Sequence, residues 1–328
     1  MSERLARNPL AGPVDLAPPP AGPLAFHRAL PGYAPTPLVE APAAAGALGV
    51  RHVLVKDESR RLGLPSFKVL GASWAIHRAL QERPQTSRVA CATDGNHGRA
   101  VARMARLLGL AATVVVPASM LEARRAAIAA EGARVEVVEG TYDEAVERAA
   151  ELDAVVIQDT AWPGYETVPA WVVEGYSTIG AEIDAEPDVV AVQIGVGSFA
   201  AAMVRRFAGT RIVGVEPVGA ACALASIEAG EPVEVPGPHD SVMAGLNCGR
   251  VSPVAWPAVS RGIEAFCAIS DDRALEAVAL LARDGITAGE SGAAGLAGLL
   301  RFRDELEPPP DGTVLVVNTE GNTSGEVG

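Results

Sequence analysis

Short β-branched runs alternate with amphipathic helical stretches along most of this chain, and no other feature restricts its fold as much. Strand-like runs fall at 53–55, 89–92, 113–116, 135–138 and 154–157, separated by helical stretches at 67–80, 97–108, 121–130 and 142–151. A second series begins near 169 with a helix, a strand at 189–194, a helix through Arg206, a strand at 211–215 and a helix over 220–229. A Pro- and Gly-rich connection at 230–238 breaks the rhythm, and helices at 271–283 and 291–303 with a strand at 313–317 complete it. Strands joined through single helices need right-handed crossovers, which makes the class α/β with mainly parallel sheets. At 328 residues the chain is long enough for two domains. The rhythm predicts a large domain from 37–87 and 169–328 and a small one over 88–168, after an N-terminal arm. That arm, residues 1–36, is Pro- and Ala-rich around Pro18-Pro19-Pro20 and reads as an extended segment crossing the surface.

The net charge of −13 argues against nucleic acid or an anionic membrane as partner, leaving small molecules. No apolar run approaches the ~20 residues of a membrane span, and residues 1–25 lack the pattern of a signal peptide, so a soluble cytoplasmic protein is expected. Cys91, Cys222, Cys248 and Cys267 show no zinc-site spacing. They read as buried thiols, with a Cys222–Cys248 bridge open if those loops meet.

Of 27 basic side chains only Lys56 and Lys68 are lysine. A task that arginine cannot perform is nucleophilic attack on a carbonyl by a neutral amine. Lys68 sits between Phe67 and Val69 at the start of a helix that Ser66 would cap. Apolar neighbours and a helix N-terminus both disfavour the ammonium, which predicts a lowered pKa. Lys56 precedes Asp57 and Glu58 and reads as a structural ion-pair residue; an ordinary surface lysine is the bland alternative for Lys68.

Three loops at strand ends are candidates for ligand binding, the carboxyl ends of strands being where such sheets bind ligands. Gly195-Val196-Gly197-Ser198-Phe199-Ala200 leads into a helix, so its N–H groups point at an anion such as phosphate. The same stretch satisfies G-x-G-x-x-A with Glu216 about 20 residues on, which also fits a dinucleotide, and a tight turn with no ligand stays open. Thr93-Asp94-Gly95-Asn96-His97-Gly98 gathers a carboxylate, an amide and an imidazole. Thr319-Glu320-Gly321-Asn322-Thr323 could hydrogen-bond a flat heteroaromatic ring. Each loop alone is compatible with plain turn chemistry.

Taken together, Phe67-Lys68-Val69-Leu70-Gly71, Thr93-Asp94-Gly95-Asn96-His97-Gly98-Arg99, Gln158-Asp159-Thr160-Ala161-Trp162, Met243-Ala244-Gly245-Leu246, Gly289-Glu290-Ser291-Gly292 and Thr319-Glu320-Gly321 occur in order. This set resembles the fold type II pyridoxal-phosphate enzymes, and most closely their diaminopropionate ammonia-lyase branch. The resemblance covers the chain from about Pro35. It implies a tryptophan synthase β-like architecture of two open, mainly parallel sheets flanked by helices, and a homodimer. Lys68 would bond the aldehyde of pyridoxal 5'-phosphate, and Asn96 the phenolic oxygen. Gly195, Val196, Gly197, Ser198 and Phe199 would bind the phosphate, and Thr319 would face the ring nitrogen. A neutral hydroxyl there makes the ring a moderate electron sink, which suits elimination.

Asp94 distinguishes the branch, since the related dehydratases resemble Ser-Ala-Gly-Asn-His at this loop. Opposite Lys68 it would act as a second base, so that both enantiomers react, and Asp159 would bind the β-ammonium and return a proton to departing ammonia. For both aspartates a turn-capping role is the alternative. Asn322-Thr323-Ser324 stands where the branch has Asp-Thr-Asp, and Asn247 replaces a small residue. Glu216 resembles the start of a metal site in some serine-acting relatives, but Cys222 stands where its second carboxylate would be, so no metal is expected. The expected activity is elimination on a small amino acid, favouring 2,3-diaminopropionate. The alternatives are a serine/threonine dehydratase or β-replacement enzyme, an NAD-dependent oxidoreductase using the Gly195 loop, and a non-catalytic pyridoxal-phosphate-binding protein.

Overall fold

The computed structural model describes residues 2–13, 16–93 and 95–322, without the side chain of residue 143. The chain begins with β1 (Arg4–Arg7), α1 (Gly22–Arg28), β2 (Leu38–Glu40), α2 (Pro42–Leu48), β3 (His52–Asp57) and α3 (Lys68–Glu82). Strict alternation follows through β4 (Arg88–Ala92), α4 (Asn96–Leu107), β5 (Ala111–Pro117), α5 (Glu122–Ala130), β6 (Arg134–Val138), α6 (Tyr142–Ala150) and β7 (Val155–Val156). It continues through α7 (Thr167–Ala181), β8 (Val189–Gln193), α8 (Ser198–Arg206), β9 (Arg211–Pro217) and α9 (Cys222–Ala229). Then come α10 (Trp256–Gly262), β10 (Ala265–Ile269), α11 (Asp271–Arg283), α12 (Glu290–Arg301), the short α13 (Arg303–Leu306) and β11 (Thr313–Asn318).

The strands form two sheets. The seven-stranded sheet has the order β1-β10-β9-β8-β11-β3-β2, parallel except for its two edge strands, and the four-stranded sheet, β6-β5-β4-β7, is parallel throughout. The α/β class and the two mainly parallel sheets are thus as expected. Local chemistry explains the elements. Every residue of β8 is buried, as in a strand covered by helices on both faces. A capping box between Thr141 and Glu144 starts α6. Asp271 and Asp272 in the first turn of α11 and Arg283 in its last complement the helix dipole. Helix α7 packs against both α3 and α8 in the core cluster that takes in Val190 and Val192 of β8, and α12 crosses β8, β9, β10 and β11 in the cluster that takes in Val189 and Ala191. No helix among the described residues is long and apolar enough to cross a membrane.

Several local expectations need correction. The N-terminal arm is not extended throughout. Its β1 pairs antiparallel with β10, and α1 buries His27 completely. Ser66 does not cap α3: Phe67 holds the N-cap position, with no side-chain cap bond. Backbone pairing fixes that helix start instead, with Phe67 N–H donating to the Thr319 carbonyl (3.3 Å) and Gly321 N–H to the Pro65 carbonyl (2.9 Å). Lys56 is an ion-pair residue, but its partner is Glu182 on the C-cap of α7 (2.6 Å), not its chain neighbours. Arg61 joins the same buried cluster through Glu58 (2.5 Å) and Glu182 (2.7 Å), and Tyr33 donates to Glu182 (2.7 Å). None of the four cysteines forms a disulfide, so the Cys222–Cys248 bridge is absent.

Candidate active site

The carboxyl ends of β8 and β11, the start of α3, and the loops after β4 and β7 converge on a cavity of about 340 Å³. Lys68, Asn96, His97, Asp159, Gln193, Thr319 and Glu320 line it, with the loop from Gly195 to Phe199. Lys68 Nζ donates to Asp159 Oδ2 at 2.7 Å and lies 5.5 Å from the centre of the Phe67 ring. Burial opposes the ammonium, as the local sequence suggests, but the Asp159 carboxylate outweighs it and raises the Lys68 pKa. The expectation of a lowered pKa is therefore wrong for this state, because it weighed chain neighbours and not a partner from another loop. Asp159 is buried too, a penalty that Lys68 and then His97 overcome, holding its carboxyl well below the usual range.

His97 Nε2 lies 2.7 Å from the Ile157 carbonyl, which can only accept, so the imidazole carries its proton there. Its Nδ1 is buried with no hydrogen-bond partner, 3.9 Å from Asp159 Oδ2, and burial lowers its pKa. Asn96 opens α4 and donates from Nδ2 to Glu320 Oε2 at 2.5 Å. Burial pushes the Glu320 carboxyl up. Thr319 Oγ1 accepts from Gln193 Nε2 at 2.7 Å. Asp94 lies outside the described residues, as do Thr323 and Ser324. Asn247 turns its Nδ2 to the Ser241 carbonyl at 2.8 Å.

The glycine loop meets the steric needs of a phosphate cradle. Gly197 is left-handed at φ +90° and forms the N-cap of α8. A Cβ on Gly195 would come within 2.9 Å of the Gly245 carbonyl and 3.2 Å of Cys248 Sγ, so only glycine fits beneath the loop. The first N–H groups of α8 have no preceding turn to bond and lie at the cavity wall. Ser198 Oγ donates to the Asp159 carbonyl at 2.8 Å, which leaves backbone N–H groups to meet an anion. The dinucleotide alternative loses its acidic residue. Glu216 is fully buried, accepts from Ala223 and Leu224 N–H at 2.7 and 2.8 Å, and lies outside the cavity wall. Burial pushes its carboxyl up to about 7.

An amine, a glycine loop at a helix N-terminus and several polar side chains around one cavity fit pyridoxal phosphate. The chain belongs to the pyridoxal-phosphate dependent enzymes, whose family profile matches residues 29–320. Its cofactor is pyridoxal 5'-phosphate. Within that family it is 34% identical to a diaminopropionate ammonia-lyase of Salmonella typhimurium, over 93% of this chain and 89% of that one. It superposes on the Escherichia coli diaminopropionate ammonia-lyase in complex with an aminoacrylate-PLP azomethine reaction intermediate with a TM-score of 0.91, at 31% identity, covering 98% of this chain and 94% of that one. A biosynthetic L-threonine dehydratase of Mycobacterium leprae is 31% identical over 98% of this chain and 75% of its own length.

The structure brings Lys68, Asn96, Asp159, Thr319 and the glycine loop to one cavity. Several polar wall groups carry no role read from the sequence, among them His97, Glu320 and Gln193. Glu320 was visible only as part of a motif. Gln193 had one legible signal, a lone amide ending the apolar run Val189-Val190-Ala191-Val192.

Proposed function

We propose that the protein eliminates ammonia from 2,3-diaminopropionate, giving pyruvate and two molecules of ammonia with uptake of one water. The observation that carries this reading is the Lys68–Asp159 contact of 2.7 Å. A hydroxyl leaving group, as in serine or threonine, needs only a proton donor. A β-ammonium is a cation, and Asp159, kept ionised and already holding one ammonium, suits that group. Bound pyridoxal phosphate supplies an electron sink for the charge left at Cα.

The remaining work falls to the chain's own side chains. Lys68 holds the cofactor and takes the Cα proton; Asp159, as a carboxylate, orients the β-ammonium, which departs as neutral ammonia with its own three protons. Asn96 steadies the phenolic oxygen and Thr319 the ring nitrogen. The N–H groups of Gly195, Val196, Gly197, Ser198 and Phe199 receive the phosphate. Asp94 is the second base that lets the D enantiomer react. The same reading takes 88–168 as a small domain set against 37–87 and 169–328, since the four strands of the smaller sheet all come from the first range. It also takes the enzyme to be a cytoplasmic homodimer, as composition and family resemblance imply; sedimentation at the mass of a single chain would reject the dimer.

The test is a panel of small amino acids incubated with the holoenzyme, with pyruvate, 2-oxobutyrate and ammonia all measured. Two ammonia per pyruvate from diaminopropionate is the expected result. Turnover of threonine to 2-oxobutyrate with no reaction of diaminopropionate would instead favour a dehydratase, the second reading, which the 31% identity to the Mycobacterium leprae enzyme supports. In Asp94→Asn, activity should be lost on the D form alone; equal loss on both forms removes the two-base assignment.

A further inference from the structure

Gln193 ends β8 and is 3% exposed. The register that sets Val316 opposite Ala191 carries it alongside Val317 and Thr319. One end of its amide faces three oxygens: Thr319 Oγ1 at 2.7 Å, the Val317 carbonyl at 3.0 Å and the Gly292 carbonyl at 3.4 Å. Two of the three are backbone carbonyls, which only accept, so the atom facing them must be the NH2 nitrogen. That nitrogen has two hydrogens, and the two shorter contacts take them. Thr319 Oγ1 is therefore an acceptor from Gln193, and its own proton is left for another partner. At the opposite end of the amide, Oε1 is buried and unpartnered, a costly arrangement.

We propose that Gln193 is a positioning residue that fixes the direction of the Thr319 hydrogen bond, so that the hydroxyl donates into the cavity and the cofactor's ring nitrogen is held unprotonated. The inference rests on the reading that Thr319 faces that nitrogen. A threonine alone does not decide the matter, since a hydroxyl can donate to a bare nitrogen or accept from a protonated one. The amide hydrogen bond from β8 removes that choice. The strength of the electron sink is then set by a residue not assigned to touch the cofactor.

The experiment is 15N NMR of the holoenzyme carrying pyridoxal phosphate labelled at the ring nitrogen, which reads protonation independently of turnover. The wild-type resonance should lie at the unprotonated position. Gln193→Glu keeps the shape and reverses the polarity. A neutral glutamic acid gives its one proton to the Val317 carbonyl and accepts from Thr319, and an ionised one can only accept. Either way the hydroxyl presents its lone pairs to the ring, and the resonance should move to the protonated side. If that variant does not fold, Gln193→Met removes the donor, and the resonance should become pH-dependent where the wild type is flat. Thr319→Ala tests the underlying reading. If it moves the resonance while both Gln193 variants leave it unchanged, Gln193 is only a packing residue and the proposal is overturned, although the Thr319 reading stands. If Thr319→Ala has no effect, Thr319 does not face the nitrogen and both fall. A wild-type resonance at the protonated position also overturns the proposal.

Discussion

Lys68 and Asp159 stand 91 positions apart in the chain and 2.7 Å apart in space. Their pairing makes a prediction with a definite sign. A lysine amine attacks an aldehyde only when deprotonated, and the carboxylate keeps the proton on. Asp159→Asn removes that hold and leaves burial, which favours the neutral amine, so the pKa of Lys68 should fall. Recombination of apoenzyme with pyridoxal phosphate, followed by absorbance across a pH series, should reach its plateau at lower pH than in wild type; an unmoved profile rules the coupling out. The same variant should lose about 10²-fold in kcat on diaminopropionate, because the carboxylate that orients the β-ammonium is gone. At this scale the sequence was informative about identities and poor about neighbours. Lys68, Asn96 and Thr319 could be chosen from motif order. The charge state of Lys68 could not, because its partner arrives on the loop after β7. Gln193 stayed hidden because a single amide at a strand end looks like the beginning of a loop.

Helix α1 shows what composition conceals. Its residues lie in a Pro- and Ala-rich stretch that reads as extended, yet the helix is clamped to α3 and α7 by His27. Nδ1 meets Thr178 Oγ1 at 2.7 Å, and Nε2 meets the Leu70 carbonyl at 3.0 Å and Ser73 Oγ at 3.1 Å. Burial lowers the His27 pKa to about 4, the Leu70 carbonyl opposing and Arg61 reinforcing the shift. The folded value lies below the unfolded one, so the unfolded chain binds the extra proton between them. Stability from this group is full above the unfolded pKa and is lost as pH falls toward 4, by up to roughly 3 kcal/mol. The urea midpoint of His27→Gln should therefore rise relative to that of wild type as pH is lowered from 7 to 4.5. Glu216, with its carboxyl pushed up to about 7, acts in the opposite sense, so only the difference between wild type and variant isolates the histidine. A variant with the wild-type slope would dismiss this account. The strand β10 was missed for a different reason: Ala265-Phe266-Cys267-Ala268-Ile269 has a single β-branched residue, and its pairing with β1 and β9 decides its conformation.

For the whole molecule, the α/β class followed from the alternation of elements alone, and the order of strands within each sheet did not. Nothing local says that β11 pairs with both β8 and β3, because that choice depends on which faces the helices between them cover. The cluster of Lys56, Glu58, Arg61 and Glu182 was likewise unreadable, since Glu182 lies 126 residues from Lys56 and 121 from Arg61. Its members are fully or almost fully buried, and it ties the end of α7 to β3 and, through Tyr33, to the arm. Glu182→Gln would leave two buried cations short of one carboxylate. It should destabilise the protein by about 3–5 kcal/mol, seen as a lower urea midpoint with unchanged slope. A loss below about 1 kcal/mol would mean that water or rearrangement satisfies the cations, and the cluster would not be the tie described.

The placement of β11 also affects how the protein is made. At synthesis rates of roughly 5–20 residues per second, β3 leaves the ribosome about 13–50 seconds before the strand that joins it to β8 exists. Until then the large sheet is two unjoined halves, with Lys68 borne by the helix after one and the glycine loop of Gly195 and Gly197 following the other. The newborn polypeptide therefore cannot complete its catalytic pocket piecemeal. Capture of the vitamin must await the insertion of a central strand that is translated long after β3.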